Sequence, residues 1–180
     1  MTAPQTGIWI SDPQVYRAKM FQFLGDRSPL EVLAQTPSTL DGMVRKYPAA
    51  MLHSRPFEGK WTPNEIIGHF VDSEWVYGFR LRLVFCEENA SILGMNQDLW
   101  VMRQRHNERE PSELVEAFQS LRGFNLTLWK AATPADMNRT GNHNQRGPET
   151  LEVMLRMWAG HDLSHVDQLT RYIQAAERVA

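Results

Sequence analysis

Apolar residues recur along most of this chain at the spacing of amphipathic helices. In the segment after Pro111 the apolar stripe consists of Leu114, Val115, Phe118, Leu121, Leu128 and Trp129. The segment after Pro29 carries a similar stripe at Leu30, Leu33, Leu40, Met43 and Val44. Nowhere does an apolar–polar alternation persist long enough to predict a β-strand. The pattern therefore predicts an all-α protein.

Several predicted helices begin at a proline that follows a capping residue. Ser28 precedes Pro29, and Thr62 precedes Pro63; a side-chain hydroxyl at the cap and a proline at the first helical position are typical helix starts. Glu65 lies three residues after Thr62, as in a capping box. We expect main helices from about residues 29, 63, 111 and 151, and a short first helix over 13–24.

These helices predict a four-helix bundle in one domain, residues 1–180, with residues 1–27 as an extension packed on it. Pro37 interrupts the first main helix, which is then either two helices or one kinked helix.

Composition and charge narrow the classes of protein. The chain has 180 residues, is 42% hydrophobic and 22% charged, and carries a net charge of −2. Its lysines and arginines are scattered among acids, which argues against a broad surface for nucleic acid or anionic membrane. No run approaches the roughly 20 apolar residues of a membrane span, and the N-terminus lacks a signal-peptide pattern. The single cysteine, Cys86, cannot form an internal disulfide. We expect a cytoplasmic protein.

Two histidines lie one helical turn apart near the C-terminus. His161 and His165 would share a helix face, with Cβ atoms about 5–6 Å apart. Imidazoles at that spacing can converge on one cation, with nitrogens about 2.0–2.1 Å from zinc. Asp162 is rotated by about 100° from that face, and we expect it to contact solvent or another helix. From spacing alone, a pair without a ligand is the commoner interpretation.

A third ligand would come from another helix, and His69 is the best candidate. Its neighbours on the same helix face are mostly polar, namely Glu65 before it and Asp72, Ser73 and Arg80 after it, with Val76 among them. This pattern indicates a polar cavity inside the bundle. Three histidines would leave a coordination position open, as in catalytic metal sites, where a thiol or water is activated. The alternative is that His69 is an ordinary core histidine.

Three ordered segments resemble one family. They are KWTPNEIIGHFVDSEWVYGFRLR at 60–82, MNRTGNHNQRGPETL at 137–151 and LEVMLRMWAGHDLSHVDQLTRYI at 151–173. The segments are similar to the motifs of the DinB-like (DinB/YfiT) metalloenzyme superfamily, which includes the bacillithiol S-transferases, and the likeness spans roughly residues 28–175.

The resemblance implies a DinB/YfiT-like four-helix bundle and a divalent metal, zinc or nickel, held by His69, His161 and His165. It also implies a homodimer, as in several members. Better-known members conjugate a low-molecular-weight thiol to an electrophile, and others are named metal-dependent hydrolases. We expect a thiol S-transferase first, then a hydrolase that activates water, and otherwise a bundle that binds a metal or ligand without turnover.

Three further residues receive predicted roles at this site. Glu65 either orients the imidazole of His69 or serves only the capping box. Arg80 either receives a substrate carboxylate or forms a salt bridge to Glu74 or Asp72. Gln168 is expected to hydrogen-bond either a bound cofactor or a group that itself contacts one of the metal ligands.

The remaining candidates receive plainer expectations. His53 and His106 are expected to be exposed, His143 to lie in a surface turn, and Cys86 to be buried. Asp98 and Trp100 are expected near the mouth of the pocket.

Overall fold

Four long helices form the body of the protein. The computed structural model describes residues 12–178, so residues 1–11 of the predicted 1–27 extension lie outside the described part. In chain order the helices are α1 Pro13–Leu24, α2 Pro29–Lys46, α3 Ala49–His53, α4 Pro63–Cys86, α5 Gln97–Arg103, α6 Pro111–Ala131 and α7 Leu151–Glu177. The four long helices are α2, α4, α6 and α7. Helices α2 and α4 each pack against both α6 and α7, so α2 and α4 are diagonally opposite in the bundle. The all-α four-helix prediction is confirmed.

The predicted helix starts have the expected caps. The Ser28 hydroxyl accepts a hydrogen bond from the Glu31 amide. Thr62 and Glu65 form a complete capping box. Such caps satisfy amide groups that the first helical turn leaves without partners.

Helix α1 packs along α7, and a glycine permits the contact. A Cβ atom added at Gly160 would lie 2.1 Å from the carbonyl oxygen of Met20. The backbones of α1 and α7 therefore meet where α7 has no side chain. This contact places α1 beside His161, the next residue along α7.

Helix α2 is a single helix that contains Pro37. Proline has no amide hydrogen, so the carbonyl of Leu33, four residues earlier, loses its helical donor. The Nη1 group of Arg122 on α6 donates to that oxygen at 2.7 Å. A side chain from another helix thus replaces the missing backbone bond.

Arg122 connects all four long helices. Besides Leu33 on α2, its guanidinium donates to Glu74 on α4 at 2.9 Å and to Asp162 on α7 at 2.8 Å. The side chain of Arg122 is 1% exposed. The expected contact of Asp162 with a neighbouring helix is confirmed, since it pairs with α6.

A polar layer crosses the bundle between two apolar clusters. One cluster contains Tyr77 and Leu81 of α4 with Leu155 and Trp158 of α7. The other contains Ile66 and Phe70 of α4 with Leu169 and Ile173 of α7. Seven buried polar residues of α4, α6 and α7 lie between these clusters, and they are Asp72, Ser73, Glu74, Arg122, Asn125, His161 and Asp162.

A small sheet closes one end of the molecule. Its strands are β1 Ser91–Ile92, β2 Thr140–His143 and β3 Gly147–Thr150, in the order β1-β2-β3. Strands β2 and β3 are antiparallel, and β1 runs parallel to β2. The sequence analysis missed these strands because segments of two to four residues are too short for an alternation to be read.

Between residues 12 and 178, no helix combines the length and apolar character that crossing a membrane demands.

Candidate metal centre

Three histidine side chains converge in the polar layer. His69 comes from α4, and His161 and His165 come from successive turns of α7. One ring nitrogen from each lies within 4.8 Å of the other two. The Nε2 atoms of His69 and His161 are 3.3 Å apart, and these two residues are 0% and 5% exposed. The structure thus brings together the three histidines that the sequence singled out.

The separation of one pair of nitrogens matches that of two ligands on a tetrahedral divalent ion. Ligands about 2.0–2.1 Å from a tetrahedral centre are roughly 3.3–3.4 Å from one another, and the Nε2 atoms of His69 and His161 are 3.3 Å apart. Two neutral imidazoles whose lone pairs face each other at this distance repel unless a cation or a proton lies between them. Nitrogen ligands suit zinc and nickel, and also copper and iron. The residues therefore fit a divalent metal without fixing its identity.

Burial keeps these imidazoles neutral. Removal from water lowers the pKa of His69 and of His161 well below the ordinary value of 6.5, and the charges of neighbouring histidines lower it further. Burial likewise lowers the pKa of His165 to about 4, although its bond to Gln168 acts in the opposite direction. Near pH 7 each ring therefore retains a lone pair for a metal ion.

Gln168 holds His165 in a defined orientation. Its Oε1 atom is 2.9 Å from Nδ1 of His165. Because an amide oxygen only accepts, Nδ1 carries the hydrogen and Nε2 is left with the lone pair. The indole of Trp61 adds a wall, with its ring centroid 4.9 Å from that of His69 and 6.3 Å from that of His165. The sequence analysis had not singled out Trp61.

Ser73 lies one turn beyond His69 on α4. Its hydroxyl oxygen is 3.3 Å from Nε2 of His69, and the residue is 2% exposed. A neutral hydroxyl therefore sits beside the convergence point of the three rings, able to donate or to accept a hydrogen bond.

The carboxylate of Glu65 turns away from His69. It accepts a hydrogen bond from the Thr62 amide at 2.7 Å and forms a salt bridge with Arg55 at 3.1 Å. Nδ1 of His69 has no hydrogen-bond partner among the described residues. Of the two predicted roles, the capping box is the one with contacts, and no contact supports orientation of His69 by Glu65.

Arg80 is buried close to the centre without a carboxylate partner. It is 6% exposed, its Nη2 donates to the Leu93 carbonyl at 2.7 Å, and its Nε has no partner among the described residues. The predicted salt bridge to Glu74 or Asp72 is wrong, because these pair with Arg122 and His106. Burial lowers the pKa of Arg80, so its cation gains from a nearby anion.

The ring of Tyr77 is a neighbour of both Arg80 and His161. The Cζ atom of Arg80 is 5.5 Å from the Tyr77 ring centroid, and that ring is 5.7 Å from the ring of His161.

His106 forms a buried pair with Asp72 of α4. Nε2 of His106 is 2.9 Å from Oδ2 of Asp72, and the other carboxylate oxygen, Oδ1, accepts a hydrogen bond from Gln104 at 2.7 Å. The His106 ring fills the space above Gly68, where an added Cβ would lie 2.3 Å from it. His106 is 3% exposed, so the expectation that it is exposed is wrong. Sequence carried no signal for this contact between α4 and the segment that follows α5.

Three further expectations are corrected. His143 is 3% exposed; its Nδ1 accepts hydrogen bonds from the amides of Gln145 and Arg146. His53 is partly buried, with Nδ1 2.7 Å from the carbonyl oxygen of Asn107. Cys86, expected to be buried, is exposed.

A cavity of about 300 Å³ opens onto His161 and His165. Helix α1, the loop before α4, the start of α5, the β2–β3 turn and α7 form its walls. The polar lining residues are Tyr16, Lys19, Lys60, Asn96, Gln97, Asp98, Gln145, Ser164, Gln168, Arg171 and Tyr172. Asp98 is in the expected place, whereas Trp100 is not among the residues that line the cavity.

Comparisons with known proteins identify the family of this chain. A family profile described as the DinB superfamily matches residues 33–169. A protein of Bacillus subtilis (strain 168) named "Putative metal-dependent hydrolase YfiT" is 24% identical over 150 residues, which are 79% of this chain and 82% of that protein. A relative named in the same way from Bacillus mycoides (strain KBAB4) is 22% identical over 142 residues, 78% of this chain and 81% of the relative.

The fold also matches a solved structure. The structure of YfiT from Bacillus subtilis, described as having an unusual four-helix bundle topology, aligns with a TM-score of 0.72 at 21% identity. The alignment covers 96% of this chain and 94% of that one. The two proteins share their bundle topology.

Proposed function

The chain belongs to the DinB superfamily, and we propose that it is a metal-dependent enzyme that acts on small molecules, with thiol S-transfer as its reaction. The convergence of His69, His161 and His165 on one point carries this proposal. Three neutral nitrogen donors leave a coordination position for a reactant. The adjoining cavity of about 300 Å³ gives a small organic molecule access to that position.

A bound divalent ion supplies Lewis acidity, which lowers the pKa of a thiol or water molecule that reaches it. The protein contributes orientation and exclusion of water. Gln168 fixes the ring of His165, and Trp61 covers the rings of His69 and His165. The Ser73 hydroxyl beside His69 can hydrogen-bond the reacting group.

We assign Arg80 to a substrate carboxylate. Its burial without an acidic partner among the described residues supports this role, since an unpaired buried charge is costly and an anionic group would offset the cost. Gln168 and Arg80 are thus the positioning residues of the proposal, and Glu65 is left with its structural cap.

Hydrolysis is the second candidate, because the relatives are named metal-dependent hydrolases. The same three donors would serve either reaction, with water in place of the thiol. A bundle that binds a metal without turnover would show the same ligands but no catalysis. Zinc or nickel as the metal, a homodimeric assembly and a cytoplasmic location stay predictions.

Two measurements test the proposal. Metal analysis of protein purified without an affinity tag should find about one divalent ion per chain, and His161→Ala should lose it. Loaded protein should accelerate loss of glutathione with monochlorobimane, whereas chelated protein and His161→Ala should not. His53→Gln is the matched control, since His53 lies outside the cluster.

The outcome distinguishes the candidates. Turnover of p-nitrophenyl esters without thiol consumption would favour hydrolysis. A stoichiometric metal with neither activity across thiol and ester panels would favour the non-catalytic bundle. Unchanged activity in His161→Ala would defeat the metal mechanism.

A further inference from the structure

Positive charge is concentrated at the mouth of the cavity. The chain has four lysines in all, at positions 19, 46, 60 and 130, and two of them, Lys19 and Lys60, line this one cavity. Arg171 lines it as well. The lining thus has three basic side chains and one carboxylate, that of Asp98, whereas the chain as a whole has a net charge of −2.

The two lysines are available to a ligand. Both are exposed at the rim, and neither forms a salt bridge with the part of the chain that the structure describes. Arg171 differs, because its Nε is already 3.0 Å from Asp167. Both lysines thus line the cavity with no carboxylate of residues 12–178 within salt-bridge distance.

The lysines reach the cavity from different elements. Lys19 belongs to α1, and Lys60 belongs to the loop before α4. The same cavity is lined by His161 and His165, so a small molecule held by the lysines has access to the metal centre. Positive charges in a cleft concentrate anions there.

We infer that the molecule held in this cavity carries an acidic group, a carboxylate or a phosphate, which Lys19 and Lys60 bind at the mouth. Its reactive end then lies towards His161 and His165. This inference rests on the proposed function and defines its substrate class as an anionic small molecule. The amide side chains of Asn96 and Gln145 on the lining add hydrogen-bond donors for the same group.

Lysine labelling tests the inference without activity. Pyridoxal 5′-phosphate is an anionic aldehyde that forms an imine with lysine, and pyridoxal is its counterpart without the phosphate. After borohydride reduction, mass spectrometry should find that the phosphate compound prefers Lys19 and Lys60 over Lys46 and Lys130. Pyridoxal should show no such preference. Equal labelling patterns for the two aldehydes would overturn the inference.

Protection experiments identify the acidic group. Succinate should protect Lys19 and Lys60 if the site suits a carboxylate, and inorganic phosphate should protect them if it suits a phosphate. Both are used at one ionic strength against the neutral control succinamide. Equal effects of all three compounds would contradict an anion site.

Binding of a thiol provides a second test. A double variant, Lys19→Gln with Lys60→Gln, should weaken the affinity for glutathione by about tenfold, a factor consistent with the loss of two exposed ion pairs. Its affinity for glutathione diethyl ester, which lacks free carboxylates, should not change. The control double variant, Lys46→Gln with Lys130→Gln, should bind both like the original protein. A double variant at the mouth that binds glutathione normally, or wild-type protein that does not prefer glutathione over the ester, overturns the inference.

Failure of the inference can be told apart from failure of the proposed function. Labelling is measured in both metal-free and metal-loaded protein. Preferential labelling of Lys19 and Lys60, together with no turnover of any thiol or ester by the metal-loaded unmodified protein, would keep the anion site and reject the enzyme. Metal-dependent turnover that is unaffected in the Lys19 and Lys60 variants would keep the enzyme and reject the anion site.

Discussion

Arg122 on α6 donates a hydrogen bond of 2.7 Å to the carbonyl oxygen of Leu33 on α2. The helix itself cannot supply that bond, because residue 37 is a proline. The same guanidinium bonds Glu74 and Asp162, and so it fixes α2, α4 and α7 relative to α6. The polar layer that holds the histidines is organised around this one cation.

Replacement of Arg122 by Met should destabilise the bundle strongly. The change leaves the buried carboxylates of Glu74 and Asp162 without their cation, and loss of one partner of a buried ion pair costs about 3–5 kcal/mol. Urea unfolding of metal-free protein at pH 7 measures the difference. The control Arg45→Ala removes an exposed pair with Asp41 and should cost less than about 1 kcal/mol. Similar midpoints for the two variants would contradict the central role of Arg122.

Gly160→Ala should separate α1 from α7. The new methyl group would lie 2.1 Å from the Met20 carbonyl oxygen, and backbone cannot move aside as a side chain can. We expect a loss of about 1–3 kcal/mol and weaker binding in the cavity, because α1 carries part of its wall. Gly42→Ala in α2, where a Cβ meets nothing within 4 Å, should instead stabilise by about 0.5–1 kcal/mol. Thermal unfolding of both variants tests this contrast in sign.

Gln168→Ala should weaken metal binding without removing a ligand. The His165 ring would lose the acceptor that holds its Nδ1 hydrogen, and loss of such a partner typically lowers metal affinity about 10–100-fold. Competition with a chromophoric chelator measures the change. Gln174→Ala, at an exposed position of the same helix, is the control and should bind metal normally. If both variants bind equally, Gln168 has no role at the centre.

The metal-free protein should lose stability as the pH falls from about 6.5 towards 4. The folded state holds the pKa of His165 at about 4, and burial holds those of His69 and His161 well below 6.5. In this range the unfolded chain binds more protons than the folded one, so protons favour unfolding. Melting temperatures at pH 7.5, 6.5, 5.5 and 4.5 test the trend. His165→Gln should flatten it, and a constant melting temperature in the unmodified protein would refute it.

Local signals along the sequence determined the helices and most of their boundaries. Caps such as Ser28 and Thr62 act within one turn, so their effect can be recognised from neighbouring residues alone. The pair of His161 and His165 is local in the same way, because helix geometry brings residues four apart onto one face. The inclusion of His69 required the additional polar face of α4 and the family resemblance.

Contacts between distant segments account for the errors. His106 was expected to be exposed, yet its ring occupies the gap above Gly68 and bonds Asp72, across more than thirty positions. Arg80 was given Glu74 or Asp72 as alternative partners because they are near in sequence. Both carboxylates instead pair with residues from other parts of the chain, and neighbouring residues cannot reveal that choice.

The sequence by itself determined the all-α class, the helix starts and the residue types of a metal site, because periodicity and capping are properties of short segments. Only the tertiary structure decided that the three imidazoles meet, that Arg122 replaces the bond lost at Pro37, and that Lys19 and Lys60 share one cavity. Those relationships depend on which helix faces pack together, and that packing is set by the whole core rather than by any one segment.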